Sequence, residues 1–280
     1  MFRFLLLLQL IRSINLCIAS TAIFLTFFIF NEPISFLTFY CVGVVIGSMA
    51  SGYIINDILD VESDLINKKN NLIAKNFFSY KEVHCLNIFF IFICVYCSFF
   101  INHQSLLFLY FFIFPLLLAY NFFLKKYIFI GNLCVATMLS SIFLFTGLTL
   151  NAPIKNIYMI AVFCFFLNLI REMIKDLNDI DGDKFKNMKT LPIVLGERKT
   201  IYIIQFLIFF LFVFLLIHSA FFSIKYYFSA MIFLVEIPLL YSLFLLYRYY
   251  SKKTIYQLTF LYKFINVTGL FVIIFMKEIF

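Results

Sequence analysis

The run IYIIQFLIFFLFVFLLI, Ile201 through Ile217, carries no charge and a single amide, Gln205. It sits in an apolar stretch from about 200 to 222, longer than the roughly 20 residues with which a helix crosses a hydrocarbon core. Runs of the same character recur at about 5 to 30, 34 to 56, 84 to 101, 105 to 124, 129 to 151, 154 to 176, 226 to 247 and 258 to 277. None alternates polar and apolar residues over ten positions, as the strands of a membrane barrel do. Backbone in lipid must satisfy its own hydrogen bonds, and helices do so within one segment. The pattern therefore predicts an all-α fold, a polytopic membrane helical bundle of about nine transmembrane helices. It is expected to form a single integral membrane domain over 1–280, with two long polar loops at about 57–83 and 177–199 that hold its chemistry.

Composition agrees. Of 280 residues, 64% are hydrophobic and 13% charged, with a mean hydropathy of +1.04. A soluble domain is about half apolar and a quarter charged. The first apolar run is too long and continuous for a cleavable signal, so it is expected to be the first span, unbroken. Lysine and arginine gather in alternate loops (Lys68, Lys69, Lys75, Lys81; Lys125, Lys126; Lys184, Lys186, Lys189, Arg198, Lys199; Arg248, Lys252, Lys253), which places those loops and the N-terminus in the cytoplasm. The formal charge of +8 is thus topology signal and attraction to lipid headgroups. It marks no nucleic-acid surface. The seven cysteines lie almost entirely in apolar runs, and the Cys94 to Cys97 pair is expected to be packing.

The acidic residues are distributed differently. Of 14, nine fall in two segments: Asp57, Asp60, Glu62 and Asp64, then Glu172, Asp176, Asp179, Asp181 and Asp183. Each segment has aspartates at i, i+3 and i+7, which fall within an arc of about 60° on an ideal helix. Glu62 and Asp181 share the i+5 position, off that face. Gly182 is expected to loosen the second helix near Asp183.

Two carboxylates about 4 Å apart repel by about 4 kcal/mol at an effective dielectric near 20, so six together imply a divalent cation. Carboxylate oxygens suit Mg²⁺, held by one or two carboxylates and substrate phosphates. No histidine joins either cluster, which argues against zinc and against a di-iron centre. Lys68 and Lys69 after the first cluster, Lys189 after the second and Lys125 between them supply charge for a diphosphate leaving group.

With these residues in place, the chain resembles the UbiA superfamily of intramembrane prenyltransferases. Asn56-Asp57-x-x-Asp60-x-x-x-Asp64 is similar to that family's first motif, and Asp179-x-x-x-Asp183 to its second. Arg12 and Asn15 resemble the first-span residues that face the central cavity. Tyr120, Lys125 and Asn132 resemble polar positions that approach the diphosphate. Arg171, Glu172, Lys175 and Lys189 look like the geranylgeranylglycerol-phosphate geranylgeranyltransferase branch. One departure stands out: the family's usual arginine is here Asn71, so Asn71→Arg is expected to tighten binding of a prenyl diphosphate.

The resemblance implies Mg²⁺-dependent transfer of a prenyl group from a prenyl diphosphate to a membrane-associated acceptor. In that transfer Asp57, Asp60, Asp64, Asp176, Asp179 and Asp183 act as catalytic metal ligands. Asn15, Asn56, Lys68, Lys69, Tyr120, Lys125, Asn132, Arg171, Lys175 and Lys189 act as substrate residues. The acceptor expected is geranylgeranylglycerol phosphate. The alternative is an aromatic ring such as 4-hydroxybenzoate or another quinone or chlorophyll-type precursor. A cation transporter is the rival from another class, since intramembrane carboxylates often line ion paths, but only Glu236 lies deep in a span. Membrane lipids are the other partners, with no obligate protein partner, and a bacterial inner membrane is the expected location.

Overall fold

A computed structural model describes residues 2–66, 71–185, 187–222, 225–248 and 251–278. In chain order its principal helices are α1 (Phe2–Leu10), α2 (Ser13–Ile29), α3 (Phe36–Leu59), α4 (Val61–Ile66), α5 (Tyr80–Ser98), α6 (His103–Phe122), α7 (Ile130–Thr149), α8 (Ile154–Asn178), α9 (Ile180–Phe185), α10 (Leu191–Val194), α11 (Glu197–Phe222), α12 (Tyr226–Arg248) and α13 (Lys252–Phe275). No strand occurs among the described residues. Among the described residues eight helices are long and apolar enough to cross a membrane, and α1 with α2, bent by 60°, passes the same test as a pair.

Two helices start before the hydropathy pattern does, and each carries a side-chain cap. Before α5, the Ser79 hydroxyl accepts from the Glu82 amide at 3.3 Å, and the Glu82 carboxylate accepts from the Ser79 amide at 2.8 Å. Ser251 likewise accepts from the Thr254 amide at 3.1 Å, which starts α13 well before the apolar run near 258.

The first span is not the unbroken helix expected from its hydropathy. Arg12 adopts left-handed backbone, φ 52° and ψ 52°, between α1 and α2. Such a conformation costs a non-glycine residue about 1–3 kcal/mol and is held by its surroundings. Here those surroundings are Asp57 and Tyr53, described below.

The two acidic segments also bend, at the same register. Asp60 ends α3 with φ −96° and ψ 1°, and Asp179 ends α8 with φ −105° and ψ 11°. Hydrogen bonds carry each chain across its bend, from the Asp64 amide to the Asp60 carbonyl at 2.8 Å and from the Asp183 amide to the Asp179 carbonyl at 2.9 Å. The straight acidic columns are thus corrected to two kinked segments with the middle aspartate at the kink. The irregularity lies at Asp179, while Gly182 is inside α9.

Without a hydrophobic force between helices in lipid, close packing depends on small residues. A Cβ at Gly47 would lie 2.8 Å from the Cys94 backbone nitrogen, so α3 and α5 meet there nearly backbone to backbone. One would also run into Cys97 at Gly43. Both cysteines of the Cys94 to Cys97 pair are thus packed against α3. A smaller apolar cluster joins α1 and α3 to Leu72, Ile73, Ala74 and Phe78. The segment after α4 therefore folds back onto the bundle, where its sequence reads as a polar loop.

Candidate active site

The first acidic segment is gripped from two sides. The Arg12 guanidinium donates to Asp57 Oδ1 at 3.0 Å and lies 4.5 Å over the Tyr53 ring. The left-handed turn at Arg12 aims it there. Lys125, in the connection from α6 to α7, donates from Nζ to Asp60 Oδ1 at 3.0 Å and to Asn56 Oδ1 at 3.3 Å. Its side chain is 9% exposed, so this pair is screened far less than a surface ion pair. Gln9, Arg12, Asp57, Asp64 and Asn71 line a cavity of about 350 Å³ beside the segment.

The second segment has its own grip. Asn132 donates from Nδ2 to Asp176 Oδ2 at 2.8 Å, and Asp183 is buried within electrostatic reach of Asp176. Lys125 and Asn132 flank one short connection, which therefore touches both acidic segments. Arg12 also reaches the field of Glu172, and Tyr120 senses Arg12, Glu172, Lys175 and Asp176 together. Charged and polar side chains from both acidic segments thus lie within electrostatic range of Tyr120 and Arg12.

Most residues singled out from sequence converge here. Asn15 donates to the Tyr53 hydroxyl at 3.4 Å. Arg171 and Lys175 both bond the buried Glu172, at 3.1 and 3.0 Å. Lys189 is exposed, its amide bonded to the Lys126 carbonyl at 3.4 Å. Lys68 and Lys69 lie outside the described residues. Glu62 is exposed, and Asp181 pairs with Lys252 at 3.0 Å with both side chains largely in solvent, so the i+5 positions do point away.

Asn71 requires a correction. Its amide donates to the Asp57 carbonyl at 2.9 Å and to Asp64 Oδ2 at 3.0 Å. Its oxygen accepts from the Ile73 and Ala74 amides at 3.0 and 3.2 Å. It is 4% exposed. An arginine has no acceptor for the two amides, so Asn71→Arg is expected to disrupt the turn and raise the KM for a prenyl diphosphate. Arg12 escaped the sequence-derived set of substrate residues, although a lone arginine in an apolar run signals a cavity.

Among the described residues, no three carboxylate, imidazole or thiol groups converge as a ready-made metal cage. This donor set fits Mg²⁺, which takes one or two protein carboxylates and completes its octahedron with waters and phosphate oxygens. Asp57 feels the charge of both Asp64 and Asp60, and Asp176 that of both Asp183 and Glu172.

A family model described as the UbiA prenyltransferase family matches residues 15–265. The digeranylgeranylglyceryl phosphate synthase of Methanosphaera stadtmanae is 30% identical over 90% of this chain and 91% of its own length. That of Thermococcus kodakarensis is 30% identical over 79% and 78%. A solved structure described as digeranylgeranylglyceryl phosphate synthase in membranes superposes with a TM-score of 0.76, at 26% identity and 98% coverage of both chains. A UbiA homolog from Archaeoglobus fulgidus, bound to GPP and Mg²⁺, shares the fold with a TM-score of 0.65 at 16% identity, over 95% of this chain and 99% of its own.

Proposed function

This chain belongs to the UbiA prenyltransferase family and is an integral membrane prenyltransferase, and from that premise we propose that it moves a geranylgeranyl group from its diphosphate to geranylgeranylglycerol phosphate. The observation that carries this reading is the pair of acidic segments bent at the same register, Asn56 to Asp64 and Asp176 to Asp183, contacted by Arg12, Lys125 and Asn132. The names of the relatives support the acceptor, and the single domain over 1–280 belongs to the same proposal.

Asp57, Asp60 and Asp64 with Asp176, Asp179 and Asp183 would hold Mg²⁺. When bound, the ion supplies positive charge to the departing diphosphate. Arg12 and Lys125 stand beside the same carboxylates and stabilise the negative charge that grows on the leaving group. The family resemblance assigns Lys68 and Lys69, outside the described residues, to the same task. Asn15, Asn56 and Asn132 fix the orientation of their neighbours, and Tyr120 is assigned to the diphosphate, within electrostatic range of Arg12, Lys175 and Asp176. The apolar bundle takes the prenyl tail and keeps water from the allylic carbon as it gains positive charge. Arg171, Lys175 and Lys189 are assigned to the acceptor's phosphate, where cations suit a doubly ionised group.

The aromatic acceptor remains the second reading. A transporter has little support: among the described spans, Glu236 alone is a buried carboxylate remote from the two segments. The relatives named above are archaeal, so the bacterial inner membrane expected from sequence lacks support from them. The cytoplasmic facing of the site rests on the lysine and arginine distribution.

The test is a competition. Purified protein receives geranylgeranyl diphosphate, Mg²⁺, geranylgeranylglycerol phosphate and 4-hydroxybenzoate together, and products are read by mass spectrometry. The expected product is a glycerol phosphate with two geranylgeranyl ethers. A prenylated benzoate as the main product would favour the second reading.

A further inference from the structure

We propose that Asn71 is a positioning residue that sets the geometry of Asp64 against Asp57. This rests on the proposed function, in which those two carboxylates hold the metal. The sequence leads to a different expectation for this position, a missing cation, yet the side chain is committed elsewhere. Its amide nitrogen donates to the Asp57 carbonyl and to the Asp64 carboxylate at 2.9 and 3.0 Å. Its oxygen closes a turn by accepting from the Ile73 and Ala74 amides. All four bonds are made by a side chain that is 4% exposed.

The consequence is mechanical. Asp57 lies on α3 before the bend and Asp64 on α4 after it, so their separation depends on how the bend is held. Asn71 ties one to the other, and Leu72, Ile73, Ala74 and Phe78 anchor the tie in the apolar cluster. Outer partners that orient a metal ligand typically change metal affinity by about 10- to 100-fold when removed. A neutral donor here also orients the carboxylate without competing as a cation for the diphosphate, which an arginine at this position would do.

Two substitutions separate positioning from turn formation. Asn71→Asp keeps size and the acceptor for both amides but replaces the donor with a negative charge facing Asp64. Asn71→Ser keeps a shorter acceptor for the turn and loses reach to Asp64. The full-length protein in lipid nanodiscs is titrated with Mn²⁺ in the presence of inorganic diphosphate, read by electron paramagnetic resonance. Both variants are expected to bind Mn²⁺ about 10- to 100-fold more weakly than the unmodified chain, with kcat restored in part by excess metal. Affinity for Asn71→Asp equal to or tighter than that of the unmodified chain would show a turn residue only and overturn the proposal. So would a loss seen with Asp but not with Ser, since like charge alone would then explain it. Failure of the unmodified chain to bind Mn²⁺ would instead count against the metal-bridged reading of the site.

Discussion

Asp60→Asn and Asp179→Asn will each lower turnover by about 10²- to 10³-fold, the range seen when one preorganised charge-stabilising group is lost. Each aspartate sits at the bend of its segment, with the flanking carboxylates three and four residues away on either side. The substitution preserves shape and removes one anionic ligand. Its effect grows as charge develops on the leaving group, so kcat falls along with kcat/KM. Steady-state kinetics in detergent or nanodiscs will show the split. Glu62→Gln is the control: the same chemical change on the exposed side of α4 is expected to leave turnover near that of the unmodified chain. Equal damage from Glu62→Gln would mean that the segment binds metal as a rearranged loop.

From sequence alone, relief of repulsion predicts level or slightly raised stability for both variants. The structure changes that for Asp60, whose partner Lys125 is 9% exposed. Removing one member of a buried pair is destabilising, by about 3–5 kcal/mol when burial is complete. Asparagine keeps an acceptor for the ammonium, so the loss is smaller. The melting temperature of Asp60→Asn should fall while membrane insertion is unchanged.

Chelation by EDTA will abolish turnover, and Mg²⁺ or Mn²⁺ will restore it. A diphosphate oxygen about 4 Å from an ionised carboxylate is repelled by about 4 kcal/mol per charge pair at an effective dielectric near 20. Two acidic segments multiply that cost, and Arg12 and Lys125 are already engaged with Asp57 and Asp60. Those two cations are therefore partly neutralised before a diphosphate arrives. Turnover that persists in EDTA would refute the metal requirement.

The span pattern was legible because length and hydropathy alone decide which segments cross lipid, and Ile201 through Ile217 needed no other information. The acidic register was legible too, since spacing survives a bend. The bends themselves were hidden. Aspartate is a poor but permissible helix former, and nothing in Asp60 or Asp179 marks a kink until tertiary contacts are added. Arg12 could be seen as an intramembrane charge, but its left-handed turn and its contacts with Asp57 and Tyr53 appear only in the folded chain. Asn71 was misjudged for the same reason. Judged against relatives it was an absent arginine, whereas its role depends on Asp64 and on two amides downstream. A cue was available, because an asparagine before a short apolar run favours a turn in which its oxygen accepts amides two and three residues on.

The most direct test of the metal-bridged site is binding of a non-reactive analogue, geranylgeranyl thiolodiphosphate, to the purified protein by calorimetry with and without Mg²⁺. Tight binding that requires Mg²⁺, and that is weakened by Asp60→Asn and Asp179→Asn alike, is the predicted result. Equal affinity in EDTA, or dependence on only one of the two acidic segments, would contradict it.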